Sequence, residues 1–341
     1  MITRSFSSGF EVSDWTQELN LIPNIRTPLS DLNVFRSEAV STTTVTFEES
    51  AGTLGLIGDV YRGGSVQANR DETRKLHTYA VPYFKMVDYI TQADVQQKRL
   101  YGSADLAETE AAVLERKMTR MKRSALMTAE FAKFYTLTQG RIYSPNNTVA
   151  HSSFYTDFGV TRKEVNFALT TTTTDVVAKV EEIIAHIQDN ALSGDAYTGV
   201  VALCSPEFFA ALISHAKVQA AYQYFSATEG QMIQRNRAGT STGLYREFAY
   251  AGCLFREIRD GVNGQRFIPA NEAYFMPTGT SDTFVSYTAP SAKLDFANSL
   301  GEEMYLFQYN DPKGEKKELE LEFSHVHLIR RPQVVVKAIR A

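Results

Sequence analysis

The stretch from Ser103 to Thr136 limits most strongly what this chain can become, because it reads as one long helix. Ser103 can cap its start, Asp105, Glu108 and Glu110 crowd the first turns, and Lys122, Arg123 and Lys133 sit toward its end, the charge order that suits a helix macrodipole. No proline interrupts it. Ala107, Ala111, Leu114, Met118, Met121 and Ala125 recur at alternating spacings of four and three, which lays a narrow stripe along one side. Between them stand mostly charges: Glu115, Arg116, Lys117, Arg120, Lys122 and Arg123. A helix of roughly 33 residues is about 50 Å long, as long as a mid-sized domain is wide, and a thin stripe of alanine and methionine cannot hold it in a deep core. The stretch reads either as a strut laid across a sheet, its charged flank left for water or a neighbouring subunit, or as an ordinary amphipathic core helix.

The remainder of the chain must supply that sheet. Its 341 residues allow a substantial core and suit two domains. With 43% hydrophobic and 22% charged residues the composition is that of a soluble globular protein. A net charge of -4 gives no broad basic footprint, which argues against nucleic-acid recognition as the main task and leaves contact through a local patch open. Cys204 and Cys253 lack metal-type spacing and sit in apolar runs, so they read as small buried hydrophobes in a reducing compartment. No signal-peptide run opens the chain and no apolar stretch is long enough to cross a membrane, so a soluble protein made in the cytoplasm is expected.

Residues 1–44 are irregular, with Pro23 and Pro28 among Trp15, Leu19, Leu21, Ile22, Ile25, Leu29, Leu32, Val34 and Phe35. That is too apolar for a disordered tail and too broken for a long helix, hence an arm that lies on its own body or on another copy. From Thr42 to Phe47 and His77 to Val87 the pattern is β-like around a glycine-rich, polar middle, which reads as a two-stranded ribbon; such a ribbon is marginal alone and expects support from neighbours. After the helix, Val176, Val177, Val180, Ile183, Ile184 and Ile187 form an apolar helical face behind a threonine run, ending at Gly194. Val200 to Cys204 reads as a buried strand, and Ser205-Pro206 opens a helix reaching about Tyr224. Phe248 to Arg259, a turn at 260–264 and Gln265 to Pro269 read as a hairpin. Glu303 to Tyr309 and Glu318 to His327 read as another, and Gln333 to Ile339 as a last strand. The class is α+β.

Chemistry has one candidate. His325-Val326-His327 with Glu320 and Glu322 just before them offers imidazole and carboxylate ligands, the basis of a metal-dependent hydrolase reading through His325, His327 and Glu322. Strict alternation argues the other way: Leu319, Leu321 and Phe323 share one face, His325 and His327 continue it, and the glutamates lie opposite. No dinucleotide fingerprint, phosphate loop, zinc knuckle or calcium loop is present. No metal, no cofactor and no catalytic residue are therefore expected, and the arm, ribbon and strut point to function through contacts between copies.

Several strings then resemble a known family: Thr44-Val45-Thr46-Phe47 entering the ribbon, Arg62-Gly63-Gly64, and Val81-Pro82-Tyr83-Phe84-Lys85 leaving it. The acidic-then-basic helix, Cys204-Ser205-Pro206-Glu207-Phe208-Phe209, the Asp260-Gly261-Val262-Asn263-Gly264 turn before Phe267-Ile268-Pro269, and Arg331-Pro332 to Val336 follow in order. Together they resemble the lambda-type (E family) major capsid proteins of tailed bacteriophages, of the Hong Kong 97 fold, across nearly the whole chain, with a different polar ribbon tip. The resemblance implies an N-terminal arm at 1–44, an extended loop at 45–100, a peripheral domain at 101–168 and 286–341 carrying the spine helix, and an axial domain at 169–285. It implies hexamers and pentamers of a shell around double-stranded DNA held without sequence specificity, possible scaffolding, portal and decoration partners, no membrane, and residence in the virion after synthesis in the host cytoplasm. An encapsulin-like compartment or a tail-tube subunit is the alternative within the self-assembling class. Arg62, Arg70, Arg74 and Lys75 on the ribbon and Arg235 and Arg237 on the axial loop are the candidates for inter-subunit ion pairs, against solvated surface charges of little worth. No residue pair is identified for an isopeptide crosslink.

Overall fold

The computed structural model describes residues 3–5, 11–14, 27–51, 73–96, 109–149, 151, 153–191, 196–223, 234–235, 245–259, 261–262 and 264–341. Its longest element is the helix Glu110–Gln139. Thr109, rather than Ser103, is the N-cap: its side chain accepts from the Ala112 N–H at 3.2 Å. Ser103 and Ala107 lie outside the described residues. The helix ends at Gly140, whose φ of +64° favours glycine and whose Cβ, if it had one, would stand 2.7 Å from a Tyr155 ring carbon.

Both readings of this helix hold, each for one half. Along the first half Val113, Met118, Met121 and Ala125, flanked by the partly buried Leu114 and Leu126, meet a sheet through Leu306, Leu319, Leu321 and Phe323, while Glu115, Arg116, Arg120 and Arg123 stay exposed. Lys122 departs from the charged flank and is buried. The second half sinks: Ala132, Phe134, Thr136, Leu137 and Thr138 are buried, and Phe134 stacks on Phe267 at 4.6 Å.

The sheet beneath is organised by the strand Lys316–Ile329. Its first part pairs antiparallel with Tyr305–Asn310 on one side and Tyr83–Thr91 on the other. Its last part pairs with Phe284–Thr288, which runs parallel to Arg36–Ala39, and beyond Tyr305–Asn310 lie Glu11–Asp14 and Thr3–Ser5. A second, mixed sheet runs in the order Glu164–Asn166, Val336–Ile339, Glu272–Thr278, Gly199–Cys204, Cys253–Glu257, Arg246–Tyr250, Gln234–Arg235. Val180, Ile183 and Ile187 of the helix Val176–Asn190 and Phe208, Phe209 and Leu212 of Pro206–Ser214 share its core. Cys204 and Cys253 are free and buried in that core. Val336–Ile339 and Glu164–Asn166 complete this sheet although both fall outside 169–285.

Three local expectations change. The apolar run His77 to Val87 breaks at Val81-Pro82 into Thr73–Ala80 and Tyr83–Thr91, and the Val81 N–H bonds the Thr43 carbonyl to close the ribbon. The hairpin placed at 260–264 is two: Arg246–Tyr250 turns back at Ala251-Gly252, both with positive φ as a two-residue turn of this hand requires, and Gly261–Val262 pairs separately with Gln265–Arg266. The helix opened by Ser205-Pro206 stops at His215, whose Nε2 reaches the Thr171 carbonyl at 3.0 Å, and Ala216–Gln223 is a separate helix.

Gly301 joins the edge of the first sheet to the loop before Tyr305, donating to the Val40 carbonyl at 3.0 Å and accepting from the Thr288 hydroxyl at 3.2 Å. A Cβ there would lie 2.5 Å from the Thr288 carbonyl carbon and 2.6 Å from that of Ala289. Backbone cannot give way as a side chain can, so Gly301→Ala is expected to lower stability by about 1–3 kcal/mol in denaturant unfolding.

Candidate functional site

The arm enters the body at Pro28–Asp31, a single helical turn with Pro28 at its first position. Its unpaired N-terminal donors meet a buried carboxylate, since Glu130 of the long helix accepts from the Leu29 N–H at 2.6 Å and the Ser30 hydroxyl at 2.9 Å. Lys133 donates to the same Ser30 oxygen at 2.7 Å and stands 3.8 Å from Glu130. On the other side the Pro28 carbonyl accepts from Arg256 at 3.3 Å, and Arg256 forms a buried ion pair with Glu247 at 2.5 Å. The root of the arm is thus fixed between the long helix and the second sheet.

The ribbon base, Thr44–Ala51 paired with Thr73–Ala80, turns Val45, Phe47, His77 and Tyr79 toward the body. His77 stacks on Phe158 at 4.6 Å and holds Glu49 at 2.8 Å, while the Arg330 guanidinium lies 5.2 Å from the Phe47 ring centre. The Tyr79 hydroxyl donates to Asp157 at 3.0 Å, and His151 meets the same carboxylate oxygen at 2.8 Å. Burial and then the Asp157 charge push the Tyr79 hydroxyl far above its ordinary value, so it stays a donor, and burial pulls His151 down. The base is therefore supported by residues of its own chain; the tip falls within 52–72, outside the described residues.

The face of the first sheet turned away from the long helix carries the opposite arrangement. Glu320 and Glu322 lie on it, opposite the leucines as alternation requires, and both are buried. Lys85 reaches Glu320 at 2.6 Å, Lys293 pairs with Glu320 and lies 3.5 Å from Glu322, and Ser291 donates to Glu322 at 2.5 Å. Burial works to raise the Glu320 carboxyl, yet its hydrogen bonds with Glu322, Lys293 and Lys85 outweigh it and hold it below the usual carboxylate range. Lys293 comes from the loop between Ala289 and Met304, which covers the glutamates and leaves its own Leu294 and Leu300 bare, 90% and 66% exposed. Tyr83, Val87 and Tyr89 stand exposed on the neighbouring strand. This is a tyrosine and leucine surface over a layer of paired charges, and among the described residues the other exposed large apolar side chains are Leu76 and Val177.

The histidine candidate separates as alternation requires. His325 and His327 face the long helix, on the side opposite Glu322, so the three do not converge on one ion. His325 stacks on Phe323 at 5.2 Å and Phe84 at 5.4 Å, and His327 Nδ1 lies 2.7 Å from the Ser286 hydroxyl. Burial first, and then the Lys133 charge, pull the His325 imidazole down to about 3. Among the described residues no group of three or more His, Cys, Asp or Glu is placed to hold a metal, and no helix is long and apolar enough to cross a membrane.

Of the basic candidates, Arg62, Arg70 and Arg237 lie outside the described residues, and Arg235 is described only as backbone in the two-residue strand Gln234–Arg235. Arg74 and Lys75 are exposed and point to opposite faces of the ribbon; Arg74 stands 3.8 Å from Glu48, an exposed pair of little worth. The sequence reading missed Glu130, Glu247 and Arg256. Glu247 and Arg256 face each other directly across the hairpin that turns at Ala251-Gly252, a signal visible only once that turn is placed.

Residues 11–340 match the family model described as phage major capsid protein E. The chain is 41% identical over 343 residues to the major capsid protein of Pseudomonas phage KPP10, covering 98% of this chain and 97% of that one. It is 26% identical to the major capsid protein of Salmonella phage Felix O1, with 98% of each covered. Among solved structures, the mature capsid of bacteriophage PhiM1 is similar in fold, with a TM-score of 0.56 at 11% identity, 100% of this chain and 91% of that chain being covered.

Proposed function

The chain belongs to the phage major capsid protein E family and is a head subunit of a tailed phage, and from this premise we propose how it builds the shell. Copies associate as hexamers and pentamers that close around double-stranded DNA, with residues 1–44 as arm, 45–100 as extended loop, 101–168 with 286–341 as peripheral domain and 169–285 as axial domain. Arg62, Arg70, Arg74, Lys75, Arg235 and Arg237 are proposed as ion-pair contacts between copies. Scaffolding, portal and decoration proteins are proposed partners, and synthesis is in the host cytoplasm before incorporation in the virion. The encapsulin-like, tail-tube and hydrolase alternatives have no comparable support.

The observation that carries this proposal is the pairing of a self-supported arm root and ribbon base with a bare apolar surface at Leu294, Leu300, Tyr83, Val87 and Tyr89. One copy leaves that surface to water; a second copy covers it, and many modest contacts then sum to a stable shell. Each leucine covered is worth about 1.5–3 kcal/mol. The double variant Leu294→Asp with Leu300→Asp is expected to fold with wild-type circular dichroism and to give free capsomers or monomers in electron micrographs where the parent gives closed particles. Closed particles from the variant would reject this surface as an interface.

A further inference from the structure

The long helix leaves one flank outside both cores, and Arg116, Arg120 and Arg123 lie along it, all exposed. Spaced by four and then three residues, they span about 10.5 Å of helix axis within an arc of about 60°. Neighbouring positive charges are engaged elsewhere: Lys117 holds Asp88 at 3.3 Å and Asp94 at 3.1 Å, and Lys122 is buried. Arg120 and Arg123 have no carboxylate partner among the described residues. Along the helix the exposed acid beside them is Glu115, and Arg116 is itself engaged, so the positive balance of the stripe rests on Arg120 and Arg123, on a chain whose net charge is -4.

We propose that this stripe is a sequence-independent contact for the phosphate backbone of nucleic acid. The inference rests on the head-subunit reading, which brings nucleic acid to the protein. Three features choose this partner over an acidic protein. The exposed large apolar side chains of the described residues are Leu76, Tyr83, Val87, Tyr89, Val177, Leu294 and Leu300, none of them on this helix, so a protein partner finds charge without an apolar anchor. A duplex needs only charge, and about 10.5 Å of its length carries roughly six phosphates. The helix is also held along its opposite side by Leu306, Leu319, Leu321 and Phe323 and offers a flank rather than an end, a geometry for backbone and not for base edges.

The test uses the full chain, the double variant Arg120→Gln with Arg123→Gln, and the double variant Arg120→Lys with Arg123→Lys. Binding of a short random-sequence duplex is followed by fluorescence anisotropy across a sodium chloride series, with polyglutamate as competitor and micrographs of each preparation alongside. Removing both charges should flatten the slope of log K against log salt by about 1.8, at about 0.9 for each phosphate no longer neutralised. The lysine variant should retain the slope, and particle formation should be unaltered in all three. An unchanged slope in the glutamine variant, no duplex binding by the parent, or displacement by polyglutamate as effective as by duplex would overturn the proposal, the last pointing to an acidic protein. Failure of the parent to form particles would count against the head-subunit reading instead, and is read separately.

Discussion

Glu130→Ala is expected to lower stability by about 3–5 kcal/mol and to abolish closed particles, because it strips one buried carboxylate from two hydrogen-bond donors and removes the negative charge that faces Lys133. The Leu29 N–H, the Ser30 hydroxyl and the Lys133 ammonium converge on that group or on each other, and Glu130 is 1% exposed, so water does not replace it readily. Glu130→Gln keeps an acceptor for Leu29 and loses the charge that Lys133 faces, so its effect should be smaller. The arm leaves the body at this turn, and loosening it should also raise proteolytic cleavage near Thr27. Urea unfolding and limited proteolysis measure the two effects. Wild-type stability together with wild-type cleavage would mean that the clamp does not hold the arm.

The second large effect is with pH. His325 is held down at about 3 and His327 well below its ordinary value, both by burial first, with Lys133 opposing protonation of each and His325 adding to the effect on His327. The native state therefore carries both rings neutral while the unfolded chain takes up their protons below about pH 6.5. A depressed histidine contributes stability that is complete above that value and is lost as pH falls toward 3. For His325 alone the loss approaches about 4 kcal/mol near pH 3.5. Asp94, at about 2, and Glu320, also lowered, act in the separate and more acidic carboxylate window. His325→Leu cannot take up a proton, so its stability should vary less between pH 6.5 and 4 than that of the parent in denaturant midpoints. Parallel curves would remove His325 from the account.

How much of this was legible in the sequence depended on whether a signal was local. The cap order Ser205-Pro206, the apolar face at Val180, Ile183 and Ile187, and the alternation through Leu319, Leu321 and Phe323 are set by a few neighbouring residues, and the structure follows them. Alternation also separated His325 and His327 from Glu322. It could not say which face would be covered. The loop carrying Ser291 and Lys293 packs over Glu320 and Glu322 from outside the strand, so the glutamate face is buried as well as the leucine face. The long helix was divided for the same reason. A thin stripe describes its first half, whereas Phe134 and Leu137 are buried because Phe267 and the end of the first sheet arrive from elsewhere in the chain.

The arm clamp was hidden more deeply. Glu130 looks like any helical acid until Pro28–Asp31 is placed against it, 101 residues away for the Leu29 bond. Glu247 and Arg256 meet only if the strand turns at Ala251-Gly252, and alanine is a poor advertisement for a positive φ. The ribbon base likewise draws its support from Phe158, Asp157 and Arg330, which no pattern within the ribbon announces.

The central claim is that each copy supports its own arm root and ribbon base and leaves the surface around Leu294 and Leu300 for another copy to cover. A single-particle reconstruction of particles assembled from the full chain measures this directly. The account predicts closed shells in which Leu294 and Leu300 are buried against a neighbouring subunit while Glu130 still holds Leu29 and Ser30 of its own chain. Shells in which both leucines face solvent, or in which the arm root is bound by a neighbour's helix, would contradict it.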